Sequence, residues 1–351
     1  MLYAVALLGC IVTAQNADIG FTSLVGQVSR EYPRHSEGDI VELDDGTLLL
    51  AWTRFTGGGA DHSTAHIAAM TSEDGGLTWS EPYVIQENTG KQNVMSLSFL
   101  RLKSGKIGMF YLEKNSNSDL QVHFRYSADE AKTWGPIQKV PTPSGYSIVN
   151  NDRIIQLKTG RIIVPISYEF DISVADDPLL VFCMYSDDEG RTWKRSVPDL
   201  KCPQRGAMEP GVVELANGRV LMVIRNQTGR VYSSLSKDRG ATWSEAQPTD
   251  VKSPESPATI KRIPGTRNLL LVWNNNGTGS RQRSPLTAAV SKDNGKTWLN
   301  VKNIEDDPTS NYAYVSVDFV KDRVLLTYYD NPKGGGWNLR FRNIPLNWFT
   351  E

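Results

Sequence analysis

One eight-residue pattern recurs five times along the chain: SEDGGLTW from Ser72, SADEAKTW from Ser127, SDDEGRTW from Ser186, SKDRGATW from Ser236 and SKDNGKTW from Ser291. The intervals are 55, 59, 50 and 55 residues. A period near 50 prescribes a repeat architecture before any secondary structure is assigned. Each copy carries turn chemistry. The Asp carboxylate can accept hydrogen bonds from backbone N–H groups two or three residues on. The Gly supplies positive φ at little steric cost. The Trp is a large apolar anchor for packing on a neighbour. The second copy has Ala131 where the others have Gly, which predicts a less favourable turn.

A second repeat is interleaved with the first. GDIVELDDGTLLLAW, SLSFLRLKSGKIGMFY, DRIIQLKTGRIIVPI, PGVVELANGRVLMVI, ATIKRIPGTRNLLLVW and VSVDFVKDRVLLTYY share one plan: apolar strand, short polar turn, apolar strand. Helix-period patterns are scarce. Six hairpins, each followed by a further strand pair, predict an all-β fold: a six-bladed β-propeller with four-stranded antiparallel blades. The sixth hairpin has no box after it, so the segment 18–33 is expected to complete that blade. No linker or composition shift divides residues 18–351, which read as a single domain.

In such a ring the first strand of each blade lines a central funnel. Nine residues before the hairpin-turn Gly stand Glu37, Ser96, Asn151 and Glu209, and nine before Arg323 stands Tyr314. The register of the fifth hairpin is left open by its longer turn. A polar ring on otherwise apolar strands points to a site more than to a water-filled channel mouth. Charge gives no support for nucleic-acid binding: 38 basic and 39 acidic residues leave −1, and there is no basic run. No Cys/His cluster has zinc spacing, and no cofactor or metal is expected.

These residues carry a resemblance. The boxes, the hairpins and several single positions resemble the sialidase (neuraminidase) superfamily of Asp-box propellers over nearly the whole chain. Boxes also occur in non-enzymatic propellers, so the single positions weigh more. Asp61 stands eleven residues before the first box Ser, where sialidases carry a catalytic Asp. Glu209 and Arg225 have the family's sixteen-residue spacing, Arg283 precedes LT and the last box, and Tyr314 precedes the final hairpin. The resemblance implies a retaining exo-glycosidase that releases a terminal sialic (nonulosonic) acid. Tyr314 would be the nucleophile, with Glu209 accepting its proton. Asp61 would be the acid and then the base, and Arg225 and Arg283 would clamp the substrate carboxylate. Arg281 is the near alternative to Arg283, and Tyr312 to Tyr314; His62 and His66 flank the acid but read as ordinary surface or core residues.

The chain departs from the family where sialidases carry the third arginine, in an Arg-Ile-Pro motif. That position is Ser36, and the nearest arginine is Arg34, an even two residues away and therefore on the same strand face. Glu37 and Asp39 are expected on that inward face, with Arg34 or Arg153 as partner. Asn93, Ser96, Asn150, Asn151 and Asp152 are expected to add a polar rim. Arg34, Glu37, Asn151 and Arg153 thus join Arg225 and Arg283 as candidate substrate-binding residues. The acidic departure keeps two further readings open: a glycosidase or related carbohydrate-active enzyme for another sugar, and a non-catalytic carbohydrate-binding propeller. The partner in each is a glycan or glycoconjugate.

Residues 1–17 are apolar to about Ala14 and end in small residues. They read as the remnant of a secretory signal, too short to span a bilayer, with Cys10 as a candidate lipid anchor. The expected location is secreted or periplasmic. Cys183 and Cys202 are too few for a disulfide framework.

Overall fold

The computed structural model describes residues 12–13, 19–174, 177–277 and 282–351. Cys10, Arg281 and most of residues 1–17 lie outside them. The described chain is strands, with one short helix at Leu346–Thr350. Among the described residues no helix is long and apolar enough to cross a membrane.

The strands form six four-stranded antiparallel units. The first runs Arg34–Glu42, Leu48–Phe55, Ala65–Ser72 and Tyr83–Gln86. The second runs Asn93–Arg101, Ile107–Ser116, Asp119–Ser127 and Gln138–Lys139. The third runs Ile155–Gln156, Ile162–Glu169, Leu180–Ser186 and Lys194–Arg195. The extra strand Tyr146–Ile148 joins the second and third units into one sheet. The fourth runs Met208–Glu214, Val220–Arg225, Arg230–Ser236 and Gln247–Lys252. The fifth runs Thr259–Arg262, Leu269–Asn274, Leu286–Ser291 and Leu299–Glu305. The sixth has Ser310–Val320, Arg323–Pro332 and Asn338–Pro345, and its fourth strand is Phe21–Gly26, paired antiparallel to Asn338–Pro345; the two-residue strand Val12–Thr13 pairs on the outer edge of Phe21–Gly26 as a fifth.

The hairpin turns explain their glycines. Gly46, Gly105, Gly160 and Gly218 have φ between 78° and 95°. A Cβ at any of them would meet nothing within 4 Å, so the requirement is backbone conformation and not space.

Each box Ser is the last residue of its unit's third strand, and the box turns the chain toward the fourth. The box also seats its unit on the preceding one. Trp79 packs edge-on against Phe341 of the sixth unit at 5.1 Å, and Trp193 against Phe124 of the second at 5.8 Å. A Cβ on Gly240 would lie 2.7 Å from Ile163 Cδ1 of the third unit, and one on Gly295 2.8 Å from Leu221 Cδ2 of the fourth. An apolar cluster fills each junction between successive units, including sixth to first, where Leu325 and Phe341 meet Ile40 and Trp52. Cys183 and Cys202 are free thiols buried in the cluster between the third and fourth units.

Candidate active site

Four inner strands are bulged at the position picked out by counting back from the hairpin turn. The ladder shifts between Ser36 and Asp39, Met95 and Ser98, Met208 and Gly211, and Ala313 and Ser316. The residues at these bulges are left-handed: Glu37 at φ 58°, Ser96 at 55°, Glu209 at 38° and Tyr314 at 56°. Such a conformation costs a non-glycine residue on the order of 1–3 kcal/mol and is concentrated at functional sites. A bulge re-aims the side chain that a regular pleat would send elsewhere. Here all four side chains line one cavity of ≈ 500 Å³.

At its centre the Tyr314 hydroxyl donates to Glu209 Oε1 at 3.3 Å. The other Glu209 oxygen pairs with Arg225, which also binds Glu255 at 3.0 Å. Burial is the main influence pushing the Tyr314 phenol upward; the Glu209 charge adds to it, while Arg283 and Arg225 oppose it. The Arg283 guanidinium lies 5.5 Å from the centre of the Tyr314 ring and donates to the Tyr329 hydroxyl at 2.8 Å. Tyr312, the near alternative, packs on Tyr328 in the core between units. The bulge separates it from the cavity.

Arg34 lines the same cavity. It binds Asp61 Oδ1 at 2.5 Å and lies 3.5 Å from Glu37 Oε1, while Phe55 stacks under its guanidinium at 4.5 Å. Asp61 stands at the mouth, its side chain 66 % exposed. Its main-chain carbonyl accepts from Asn93 at 2.9 Å and Lys114 at 3.2 Å, so Asn93 anchors the Asp61 loop. Desolvation works to raise the Asp61 pKa. The charge and hydrogen bond of Arg34, helped by Lys114 and Arg283, outweigh it and hold the carboxyl below its ordinary value. Burial raises Glu37 to about 7 against the pull of Arg34. His62 is exposed and His66 binds Arg54 Nε; neither lines the cavity.

Four expected site residues lie beneath the floor. Asn151 is fully buried and donates to Gly38 O at 2.7 Å and Tyr314 O at 2.9 Å. Arg153 is buried and donates to Asn151 O at 3.1 Å. The inner strand of the third unit is too short to carry the bulge, and its left-handed residue is Asp152, one position later than the count gives. Asn150 lines the cavity in place of Asn151. Asp39 also turns away: the bulge at Glu37 sends its carboxylate down to accept from Ile40 and Phe99 N–H at 2.8 and 2.7 Å. There it clusters with Asp152, Asp318 and Lys261, which pairs with Asp152. Burial, then Asp152, pushes Asp318 up to about 8.

Sequence reasoning missed Glu255, Tyr329, Arg205 and Trp337. Glu255 had a signal: nine residues before Gly265 is Ser256, its neighbour. Arg205 sits in the connection between the third and fourth units and Trp337 in the loop between two strands of the sixth, where no register reaches them.

A family model described as a BNR repeat-like domain matches residues 46–325. The chain is 26% identical over 227 residues to a sialidase of Bacteroides fragilis, covering 61% of this chain and 40% of that protein. It is 24% identical over 349 residues to a sialidase of Micromonospora viridifaciens, covering 90% and 52%. The chain thus spans about half the length of the curated relatives it matches. Among solved structures, a Dyadobacter fermentans protein of unknown function superposes with a TM-score of 0.74 at 19% identity, covering 92% of this chain and 99% of that one. The intramolecular trans-sialidase of Ruminococcus gnavus gives 0.72 at 15%, covering 93% and 98%. At these identities the structures show a shared fold.

Proposed function

The chain belongs to the BNR repeat-like family within the sialidase superfamily, and from that premise we propose that it is a retaining exo-glycosidase acting on a terminal sugar whose anomeric carbon bears a carboxylate, as in sialic and other nonulosonic acids. The six units close as a six-bladed β-propeller and residues 18–351 act as one domain. Secretion or a periplasmic location suits a glycoconjugate substrate.

The observation that carries this reading is the Tyr314–Glu209–Arg225 relay in a cavity that also holds Arg34, Arg283 and Asp61. A carboxylate nucleophile would be repelled by the substrate's own carboxylate; a phenol is neutral until its proton moves to Glu209. Tyr314 attacks the anomeric carbon as Asp61 gives its proton to the departing glycosidic oxygen. Asp61 then takes a proton from water, whose oxygen attacks the anomeric carbon and releases Tyr314. The arginines hold the carboxylate by charge-assisted hydrogen bonds. Arg34 has a second effect. Its cation holds Asp61 in the base form while the cavity is empty. A substrate carboxylate that shares Arg34 relieves Asp61 of that pull, and desolvation then favours the acid form needed for the first step.

Incubation with fluorogenic glycosides of several nonulosonic acids between pH 4 and 8, with trapping by a 2,3-difluorinated analogue and peptide mass mapping, tests this. A glycosyl adduct on Tyr314 is expected. No turnover and no adduct with any donor sinks it, and glycan binding unaffected by Asp61→Ala and Tyr314→Phe would leave a carbohydrate-binding propeller. A second reading is favoured by Glu37: a carboxyl buried beside Arg34 suits an acidic sugar other than N-acetylneuraminic acid, and the donor panel separates the two.

A further inference from the structure

A second cavity of ≈ 320 Å³ adjoins the first. Arg205, Arg225, Arg283, Tyr329 and Trp337 line both. On its own side it adds Glu255, Asn311 and Asn331. Its described lining therefore sets three guanidinium groups against one carboxylate. Glu255 is already shared between Arg225 at 3.0 Å, Arg205 at 3.1 Å and the Gln227 amide at 3.0 Å. Arg225 and Arg283 are occupied by Glu209 and Tyr329. Arg205, paired with Glu255 alone among the described side-chain carboxylates, is the most accessible of the three, with 42 % of its side chain exposed.

Arg205 is held in place although it stands on a connection. Its carbonyl accepts from Leu179 N–H at 3.0 Å, and Ala207 N–H returns a bond to Leu179 O at 2.8 Å. Between them Gly206 has φ 98°, and a Cβ there would overlap the Leu179 carbonyl. The backbone thus fixes the root of the side chain, and Glu255 holds the guanidinium at its tip at 3.1 Å. Asn311 spends its Oδ1 on Arg283 N–H, so its NH₂ is the group it can offer, and Asn331 pairs with it across the hairpin.

Trp337 connects this cavity to the chemistry. A Cβ on Gly59, two residues from Asp61, would lie 3.0 Å from its indole, and Arg34 lies 5.6 Å from its ring centre. A leaving group that takes its proton from Asp61 departs beside Trp337, whose face suits a sugar ring. Beyond that face it meets Arg205 and the two asparagines.

We propose that the side cavity is a leaving-group subsite for a second acidic sugar, with Trp337 under the ring and Arg205 pairing with its anionic group, a carboxylate or a sulfate. This rests on the glycosidase reading above and adds to it the class of glycan on the other side of the scissile bond.

The test compares donors that share one transferred sugar and differ in leaving group: neutral lactose, a second nonulosonic acid carrying a carboxylate, and a sulfated lactose. The quantity read is the ratio of kcat/KM, acidic over neutral, for wild type, Arg205→Ala and Asn331→Asp. Wild type is expected to favour one acidic leaving group by roughly tenfold, as one desolvated charge-assisted hydrogen bond allows. Which acid is favoured tells carboxylate from sulfate. Each variant should bring the ratio near one, and raised salt should lower it in wild type only. A ratio near one in wild type, or one that both variants leave unchanged, overturns the subsite. If wild type turns over none of the donors, the catalytic reading fails by itself. Titration calorimetry of the acidic and neutral disaccharides then reads the same ratio in Kd, with the same outcomes for and against.

Discussion

The five box turns and the bulges of the inner strands are both repeats, yet they repeat different things. In every box the same atoms make the same bonds. The Ser hydroxyl donates to Asp Oδ1 at 2.8–2.9 Å, and the Thr hydroxyl to Asp Oδ2 at 2.6–2.7 Å. The Ala131 copy keeps them all, accepting φ 61° in place of a glycine. In the bulges the backbone recurs while the residue changes from Glu37 to Ser96 to Glu209 to Tyr314. Where selection needs one shape many times, sequence and structure repeat together and the result is scaffold. Where it needs several chemical groups aimed at one point, only the backbone repeats.

The comparison is sharpest at Tyr314. Tyr314→Phe removes the hydroxyl but no ring packing, so kcat should fall on the order of 10³-fold or more, with the thermal midpoint nearly unchanged in a calorimetric scan. A comparable loss of stability would make the bulge residues scaffold too.

Next in size is a pH effect at Glu37. Its carboxyl is raised to about 7 by burial, so it is neutral below that pH and anionic above it. An anion there repels a bound carboxylate, and KM for an acidic donor should rise roughly tenfold as pH climbs through 7. Glu37→Gln should flatten that rise. The same shift acts on stability in the same direction: the fold favours the protonated form, so this contribution is full below pH 4.5 and fades by about 7.

The boxes should answer in stability alone. Gly240→Ala forces an alanine to φ 83° with its Cβ 2.7 Å from Ile163, and chemical denaturation should show a loss of about 1–3 kcal/mol. Asp188→Ala, which removes the carboxylate that accepts from Thr192 in a partly exposed turn, should lower the midpoint by a few degrees and leave kcat within about twofold. The smallest effect is expected from Ala131→Gly. Relief of the left-handed strain is offset by lost contact with the cluster between the first two units, for a net change below about 1 kcal/mol.

The boxes and turn glycines made the six units legible in the sequence, because turns and apolar alternation are local. The same count found Glu37, Ser96, Glu209 and Tyr314, since a short run of paired strand and a turn of matching length separate each bulge from its hairpin turn. It failed at Asn151, where a two-residue strand breaks the assumption of regular pairing. It also misjudged Asp39, because a bulge reverses the face of the strand residues beyond it and no residue type announces the reversal. Arg205 and Trp337 were out of reach for a different reason. They come from connections of irregular length, and only tertiary packing brings them to the cavity.

One further consequence lies in the strand Phe21–Gly26, which pairs with Asn338–Pro345 across some 320 residues of chain. During synthesis that strand emerges early and waits, with an unsatisfied edge, until its partner is made. The ring of contacts cannot be latched by any local event, so the last step of folding is a long-range capture whose loop-closure cost is met only when the rest is in place. A chain cut shortly before Asn338 would leave an open edge at each side of the gap, and such edges invite pairing with another molecule. The latch that completes the sixth unit is therefore also the point at which a nascent chain is most exposed to aggregation.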